Sequence, residues 1–146
     1  MRKTAQRLLL VLVVVLISSA LASCRPEPAS PQEARLLILR PSAESTVSGS
    51  SVIIKVFIEF FSIAGKTGLP NVPGEGHIVY YRDVEPPLKA GESALTAAGS
   101  YIVTTETSYM WTGISPGEHT FWVQLVNNDN TPLQPPAAVY VPVTVR

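Results

Sequence analysis

The sequence of 146 residues has little of the chemistry on which most enzymes depend. It contains one cysteine and two histidines. A single cysteine excludes a disulfide within the chain, so the fold must be held by its hydrophobic core. His77 and His119 are the only imidazoles, and neither lies in a motif that pairs a nucleophile with a base and an orienting acid. We therefore do not expect an enzyme.

Motifs for other ligand classes are missing as well. Basic and acidic side chains balance at 11 each, and no run of lysine and arginine exists, so nucleic-acid binding has no electrostatic support. The sequence has no glycine-rich phosphate loop before a helix and no carboxylates at calcium-loop spacing. No stretch after the first 23 residues carries the apolar stripe of a helix.

The N-terminal segment has the pattern of a secretory signal. Arg2, Lys3 and Arg7 precede an apolar run over residues 8–17. This run is too short for a membrane-spanning helix, which needs about 20 apolar residues. A basic start, a short apolar run and small residues at its end are typical of a signal peptide. We therefore expect the protein to be exported.

The tetrapeptide Leu21-Ala22-Ser23-Cys24 closes this apolar segment and resembles the lipobox of bacterial lipoproteins. The resemblance implies cleavage before Cys24 and a diacylglyceryl thioether, with palmitate-type chains, on its sulfur. We expect no other cofactor. Arg25 follows, and it is not the aspartate that retains such proteins at the inner membrane of enteric-type cells. The resemblance thus implies the outer membrane of a two-membrane cell, or the outer face of a single membrane.

The chain divides into three segments. We assign residues 1–23 to the signal peptide, residues 24–34 to the lipidated cysteine and a tether, and residues 35–146 to one domain. Three prolines stiffen the tether and remove backbone donors, which excludes a first strand there. Without the signal, the chain has about three more acidic than basic side chains.

Short apolar segments separated by turn residues predict an all-β domain. The predicted strands cover residues 36–39, 52–61, 77–84, 102–107, 109–112, 119–126 and 139–145. About seven strands at this spacing predict an antiparallel immunoglobulin- or fibronectin-like β-sandwich, with an eight-stranded barrel or a cupredoxin as the alternative. Residues 42–50 read as a polar turn, and residues 88–99 show little periodicity. In the second strand, alternation predicts that Val52, Ile54, Val56, Ile58 and Phe60 face the core.

The segment Pro116-Gly117-Glu118-His119 and the strand after it resemble a turn-plus-strand signature of bacterial Ig-like domains. The resemblance implies that His119 is a structural corner residue that packs inward and bonds nearby backbone. Trp122 then faces outward or toward a covering loop. An outward Trp122 would mark a contact surface, and a packed one would not.

His77 belongs to a wider resemblance. The segment Gly74-Glu75-Gly76-His77, the Pro-Gly-Glu-His turn and the late Asn-Asn-Asp loop together resemble an uncharacterised family of exported bacterial and archaeal Ig-like domains, over residues 41–145. In that family the strand begins Gly-His-x-His and the late loop carries a histidine, which implies a copper or zinc site. Here Val79 and Asn130 stand at two of those positions, so only His77 matches and the implied site is weakened.

The late loop favours turn chemistry, because Asn and Asp tolerate left-handed dihedrals and bond their own backbone. Asn127, Asn128, Asp129 and Asn130 are also candidates for glycan binding. From these patterns we expect a membrane-anchored lipoprotein whose domain binds a partner or serves as a spacer. Its best recognition loops are residues 64–76 and 127–136, and its partner is a protein or glycan at the cell surface. The alternative is an extracytoplasmic copper- or zinc-binding domain that depends on His77.

Overall fold

A computed structural model describes residues 32–146 of the chain. The predicted signal peptide, Cys24 and the tether up to residue 31 lie outside the described residues. The strands are β1 (Arg35–Arg40), β2 (Ser45–Val47), β3 (Ser51–Glu59), β4 (Ser62–Ile63), β5 (Glu75–Arg82), β6 (Tyr101–Thr104), β7 (Ser108–Thr112), β8 (Gly117–Asn127) and β9 (Pro132–Val145). Within residues 32–146, no helix is long and apolar enough to cross a membrane.

The strands form two sheets. The first sheet has the order β1-β3-β7, with both pairs antiparallel. The second has the order β2-β9-β8-β5-β4, and β6 pairs with β5. Strands that are distant in sequence become neighbours, as in the crossed connections of an immunoglobulin-like sandwich. The predicted all-β sandwich is confirmed, and two separate sheets rule out the alternative of a closed barrel.

The main core lies between the two sheets and follows from the alternation of side chains along each strand. Ile54 of the first sheet and Ile78, Tyr80, Phe121 and Val123 of the second are fully buried there. Burying side chains of this size contributes about 1.5–3 kcal/mol each. The residues between them point to the outer faces of the two sheets.

The outer face of the second sheet carries a smaller core of its own. Val79, Tyr81 and Val126 point away from the main core, yet they are fully buried. Residues 84–99, of which the sequence predicts 88–99 to be irregular, lie over them and contribute the buried Ala94. This covering loop is the reason that β5 is buried on both faces over most of its length.

Two local predictions were wrong. Phe60 is 47% exposed rather than in the core, because its φ of 57° turns the chain at the end of β3. Phe61 packs against the core in its place. The segment predicted as a polar turn contains β2, which pairs in parallel with the end of β9 from Ser45–Val143 to Val47–Val145. A strand of three residues leaves too short a pattern to detect in sequence.

Candidate functional site

The two loops that the sequence indicates for recognition lie side by side at one end of the sandwich. The loop between β4 and β5 follows strand β3, and the loop over residues 128–131 joins β8 to β9. The backbone N–H of Gly68 in the first loop donates to the carbonyl of Asn128 in the second.

The buried side chain of Asn128 holds the two loops together by hydrogen bonds. Its side chain is fully buried, and its Nδ2 donates to Glu75 Oε1 at 2.9 Å and to the Pro70 carbonyl at 3.3 Å. Lys66 Nζ lies 2.9 Å from the second carboxylate oxygen of Glu75. The hydrogen bond from Asn128, and then that from Lys66, lower the pKa of Glu75 below its ordinary value. The carboxylate therefore stays ionised and joins the two loops.

The other polar side chains of the late loop also bond within the protein. Asn127 Nδ2 donates to Thr131 Oγ1 at 3.1 Å and to the Pro132 carbonyl at 3.2 Å. Asp129 Oδ1 accepts from the backbone and hydroxyl of Thr131, and the bond from this hydroxyl is the largest cause of the lowered pKa of Asp129. Asn71 Oδ1 accepts from the N–H of Asp129 at 3.0 Å. These hydrogen bonds hold the loop in place.

Two apolar side chains project from the ordered loop end. Leu69 is 53% exposed and Val72 is 44% exposed, and they flank Pro70 and Asn71. The prolines on this loop restrict its backbone in the unbound state. The sequence indicates this loop but not these two residues, because only the fold shows which apolar side chains of the loop remain exposed.

His77 lies at the start of β5 and is 1% exposed. Its Nε2 donates to Asn130 Oδ1 at 3.0 Å, while its Nδ1 has no hydrogen-bond partner among the described residues. Desolvation lowers the pKa of His77, which keeps the ring neutral. The fold thus brings together position 77 and position 130, the second being the place where the family resemblance implies a loop histidine.

A metal site at His77 would need further ligands. Within residues 32–146, no group of three or more His, Cys, Asp or Glu side chains is placed to hold a metal ion. Val79, where the resemblance implies the second strand histidine, is buried in the core beneath the covering loop. The immediate partner of His77 is an amide oxygen, which transition metals favour less than imidazole or thiolate.

His119 forms a second polar cluster, near the start of β8. Its side chain is 12% exposed. Nδ1 lies 2.8 Å from Asp83 Oδ2, and Nε2 lies 2.9 Å from the Ser115 carbonyl. Both ring nitrogens face acceptors, which favours the protonated ring that can donate from both, and the hydrogen bond to Asp83 is the largest cause of the raised pKa of His119. A shallow groove of about 410 Å³ lies beside this cluster, between the ends of β8 and β9.

No pattern in the sequence singles out Asp83, which forms this cluster with His119. Asp83 has a φ of 56° and follows β5 directly. Its Oδ1 accepts from the backbone N–H of Thr120 at 2.9 Å, and its own N–H donates to the Thr120 carbonyl at 2.8 Å. A carboxylate beside an imidazole is also the arrangement of a catalytic base. Here the second ring nitrogen is bonded to backbone and faces no nucleophile among the described residues.

Trp122 lies on the outer face of the second sheet and is half-buried. Its ring packs on that of Tyr140 with centroids 4.6 Å apart. It also contacts the smaller core beneath the covering loop. Tyr140 is 59% exposed, so this aromatic pair presents Tyr140 rather than Trp122 to solvent.

No protein-family model matches the chain, and no curated protein sequence matches it. Among solved structures, an engineered protein resembles it with a TM-score of 0.43 and 11% identity over 80% of this chain, which spans only 21% of that protein. The fibronectin(III)-like modules of CbhA from Clostridium thermocellum have a TM-score of 0.40 and 17% identity, over 75% of this chain and 93% of theirs. The PKD domain of human KIAA0319 has a TM-score of 0.38 and 17% identity, over 86% and 91%.

Proposed function

We propose that this protein is an extracytoplasmic lipoprotein, held at a membrane by a lipid on Cys24, and that its sandwich domain binds a partner without catalysing a reaction. The N-terminal segment supports the first part. A basic start, the apolar run over residues 8–17 and the sequence Leu-Ala-Ser-Cys occur in the order that export and lipidation require.

The loop end at residues 64–74 and 128–131 carries the proposal of binding. Leu69 and Val72 stay exposed on a loop that Asn128 and Glu75 hold in place. Ordering a loop on binding usually costs free energy, and a loop that is already ordered avoids most of that cost. Exposed apolar side chains on a fixed loop at the end of a sandwich are typical of a protein-recognition surface. We therefore propose a protein partner in the cell envelope.

The hydrogen bonds of the two histidines support a non-catalytic role. His77 Nε2 is bonded to Asn130, and both nitrogens of His119 are bonded to Asp83 and the Ser115 carbonyl. A general base needs a free lone pair within reach of the proton that it removes. His77 Nδ1 has such a lone pair, but the ring is 1% exposed.

Photo-crosslinking in living cells tests the binding role. A photoreactive amino acid replaces Leu69 in the full chain, and the control places it at Glu92, which is exposed on the covering loop. We expect one discrete crosslinked protein at position 69, which Val72→Asp removes while the abundance of the chain is unchanged. Crosslinks that are equal at the two positions, or unaffected by Val72→Asp, would contradict recognition through the loop end.

A further inference from the structure

The outer face of the first sheet is apolar and uncovered. Five of the ten exposed large hydrophobic side chains of the described residues belong to it, each 45–54% exposed. They are Leu37, Leu39, Ile53, Phe57 and Met110. Leu37 is paired with Phe57 across β1 and β3, and Ile53 with Met110 across β3 and β7, so two apolar cross-strand pairs lie on this face, with Lys55 between them. We call this surface the β1-β3-β7 face.

The two sheets differ in whether a loop covers their outer face. The covering loop lies over the outer face of the second sheet, and Tyr81 Oη donates to its Ala94 carbonyl at 2.9 Å. Among residues 32–146, no loop packs over the β1-β3-β7 face in the same way. Several exposed apolar side chains on one sheet face are typical of a contact area for a partner or a membrane.

The charge on this face is opposite in sign to that of the rest of the domain. Residues 32–146 contain seven basic and ten acidic side chains. Arg35, Arg40 and Lys55 lie on β1 and β3, and one acid, Glu59, faces Arg35 at 3.3 Å. The remaining surface carries four basic and nine acidic side chains. An anionic surface would therefore attract this face and repel the others.

The tether enters the domain at this same sheet. Arg35, the first residue of β1, is eleven residues after Cys24. Even fully extended, eleven residues span only about 36 Å, which is comparable to the size of a small domain. A lipid on Cys24 would thus keep β1 close to the bilayer that holds it, and this step rests on the proposed function.

We propose that the β1-β3-β7 face docks on the surface of the anionic bilayer in which the protein is anchored. Its five apolar side chains enter the boundary between headgroups and acyl chains, and Arg40 and Lys55 meet lipid phosphates. The two acyl chains on Cys24 hold the protein at the membrane, and the weaker contact of the face orients the domain on the bilayer. The loop end then points along the membrane, where an envelope protein can reach it.

Spin labelling of the full, anchored protein tests this docking. Met110→Cys carries a nitroxide at the centre of the face, and Glu92→Cys carries it on the covering loop as the control. The purified chains are inserted into vesicles of phosphatidylglycerol or of phosphatidylcholine. Collision of the label with oxygen, which concentrates in acyl chains, is compared with collision with a water-soluble nickel complex.

On phosphatidylglycerol, we expect the label at 110 to gain oxygen contact and lose nickel contact, while the label at 92 stays in water. Each cation near an anionic bilayer changes the equilibrium constant for docking about five-fold, so Lys55→Glu should lower that constant at least five-fold. Phe57→Asp should abolish it. Both residues are exposed, so the fold is kept, and a circular dichroism spectrum identical to that of the unsubstituted protein verifies this.

Three results would overturn the proposal. The label at 110 could stay in water on phosphatidylglycerol, it could be immersed equally on phosphatidylcholine, or it could be shielded from both reagents, which would indicate a second copy or another protein on the face. The same thiol reagent separates this failure from that of the anchor. If Cys24 of the unsubstituted chain takes the label, the lipid anchor is wrong, whereas a blocked Cys24 with a hydrated label at 110 contradicts docking alone.

Discussion

Asp83 and His119 form an ion pair that joins the end of β5 to the start of β8, with 2.8 Å between Asp83 Oδ2 and His119 Nδ1. The two residues are 36 positions apart in sequence. The Ser115 carbonyl lies 2.9 Å from the other ring nitrogen, so the ring has an acceptor on both sides, which favours its protonated form. The pair fixes a strand end at the edge of the core, and its strength depends on pH.

Asp83→Asn should remove part of the pH dependence of stability. Since Asp83 raises the pKa of His119, the protonated ring favours the folded state. This stabilisation is complete below the ordinary pKa of about 6.5, and it is lost as pH rises through the raised pKa. Urea unfolding measures the free energy of unfolding at about pH 6 and about pH 8. Its decrease from pH 6 to pH 8 should be larger in the unsubstituted protein than in Asp83→Asn. Equal changes in the two proteins would contradict the ion pair.

Gly76→Ala should be among the most damaging substitutions in the domain. A Cβ at position 76 would overlap the backbone carbonyl oxygen of Val126 and lie 3.0 Å from the Phe61 ring. Neither β5 nor β8 can move without disturbing the core, so we expect a loss of at least about 3 kcal/mol.

Gly65→Ala is the matched control for this substitution. Its Cβ would make only an ordinary contact of 3.8 Å with Thr105, and its φ is not in the left-handed region. We expect a change within about 0.5 kcal/mol, measured by urea unfolding of both variants. Similar losses in the two variants would show that the close approach of β5 and β8 at position 76 is wrong.

Tyr81→Phe should loosen the covering loop. The hydroxyl of Tyr81 lies 2.8 Å from Gln124 Oε1 and 2.9 Å from the Ala94 carbonyl, and Gln124 Nε2 donates to the Pro87 carbonyl. The single hydrogen of this hydroxyl is shared between Gln124 Oε1 and the Ala94 carbonyl, so its removal takes a donor from two buried acceptors and should cost about 1–3 kcal/mol.

The loosening can be located by hydrogen exchange. The amide of Ala94, which donates to the Asn130 carbonyl at 2.8 Å, should exchange faster in Tyr81→Phe than in the unsubstituted protein. Tyr140→Phe is the control, because Tyr140 is exposed and its loss should change stability by no more than about 0.5 kcal/mol. Unchanged exchange at Ala94 would contradict the bonding assigned to Tyr81.

His77→Ala should leave the affinity for zinc and copper unchanged. His77 Nε2 is bonded to Asn130, and its desolvated ring would have to break this bond and recruit other ligands to hold a metal. Calorimetric titration of the two proteins with Zn(II) and Cu(II) measures this directly. Micromolar or tighter binding that disappears in His77→Ala would instead establish the metal-binding alternative.

The strand pattern could be predicted from the sequence because each long strand carries an alternation of its own. Val52, Ile54 and Val56 are buried as predicted, since nothing interrupts the period of two along β3. The reversal at Phe60 could not be predicted, because it depends on a positive φ at a residue that carries no turn signal.

The site contacts were harder to predict because they join distant segments. His77 is hydrogen-bonded to Asn130, which is 53 positions away in sequence, and Asn128 is hydrogen-bonded to Glu75 over the same separation. The sequence indicates each polar residue but not its partner, because partners follow from the pairing of β5 with β8. The exposure of Leu37 and Met110 could not be predicted either, because the sequence of a strand does not show whether a loop covers its apolar residues.

Mass spectrometry of the N-terminal peptide of the mature protein, purified from cell membranes, tests the lipoprotein proposal most directly. The account predicts that Cys24 is the first residue and carries a diacylglyceryl thioether, and that Cys24→Ser abolishes both the cut and the lipid. A mature chain that begins elsewhere, or one in which Cys24 is an unmodified thiol, would contradict the anchor and with it the proposed place of this domain at the membrane.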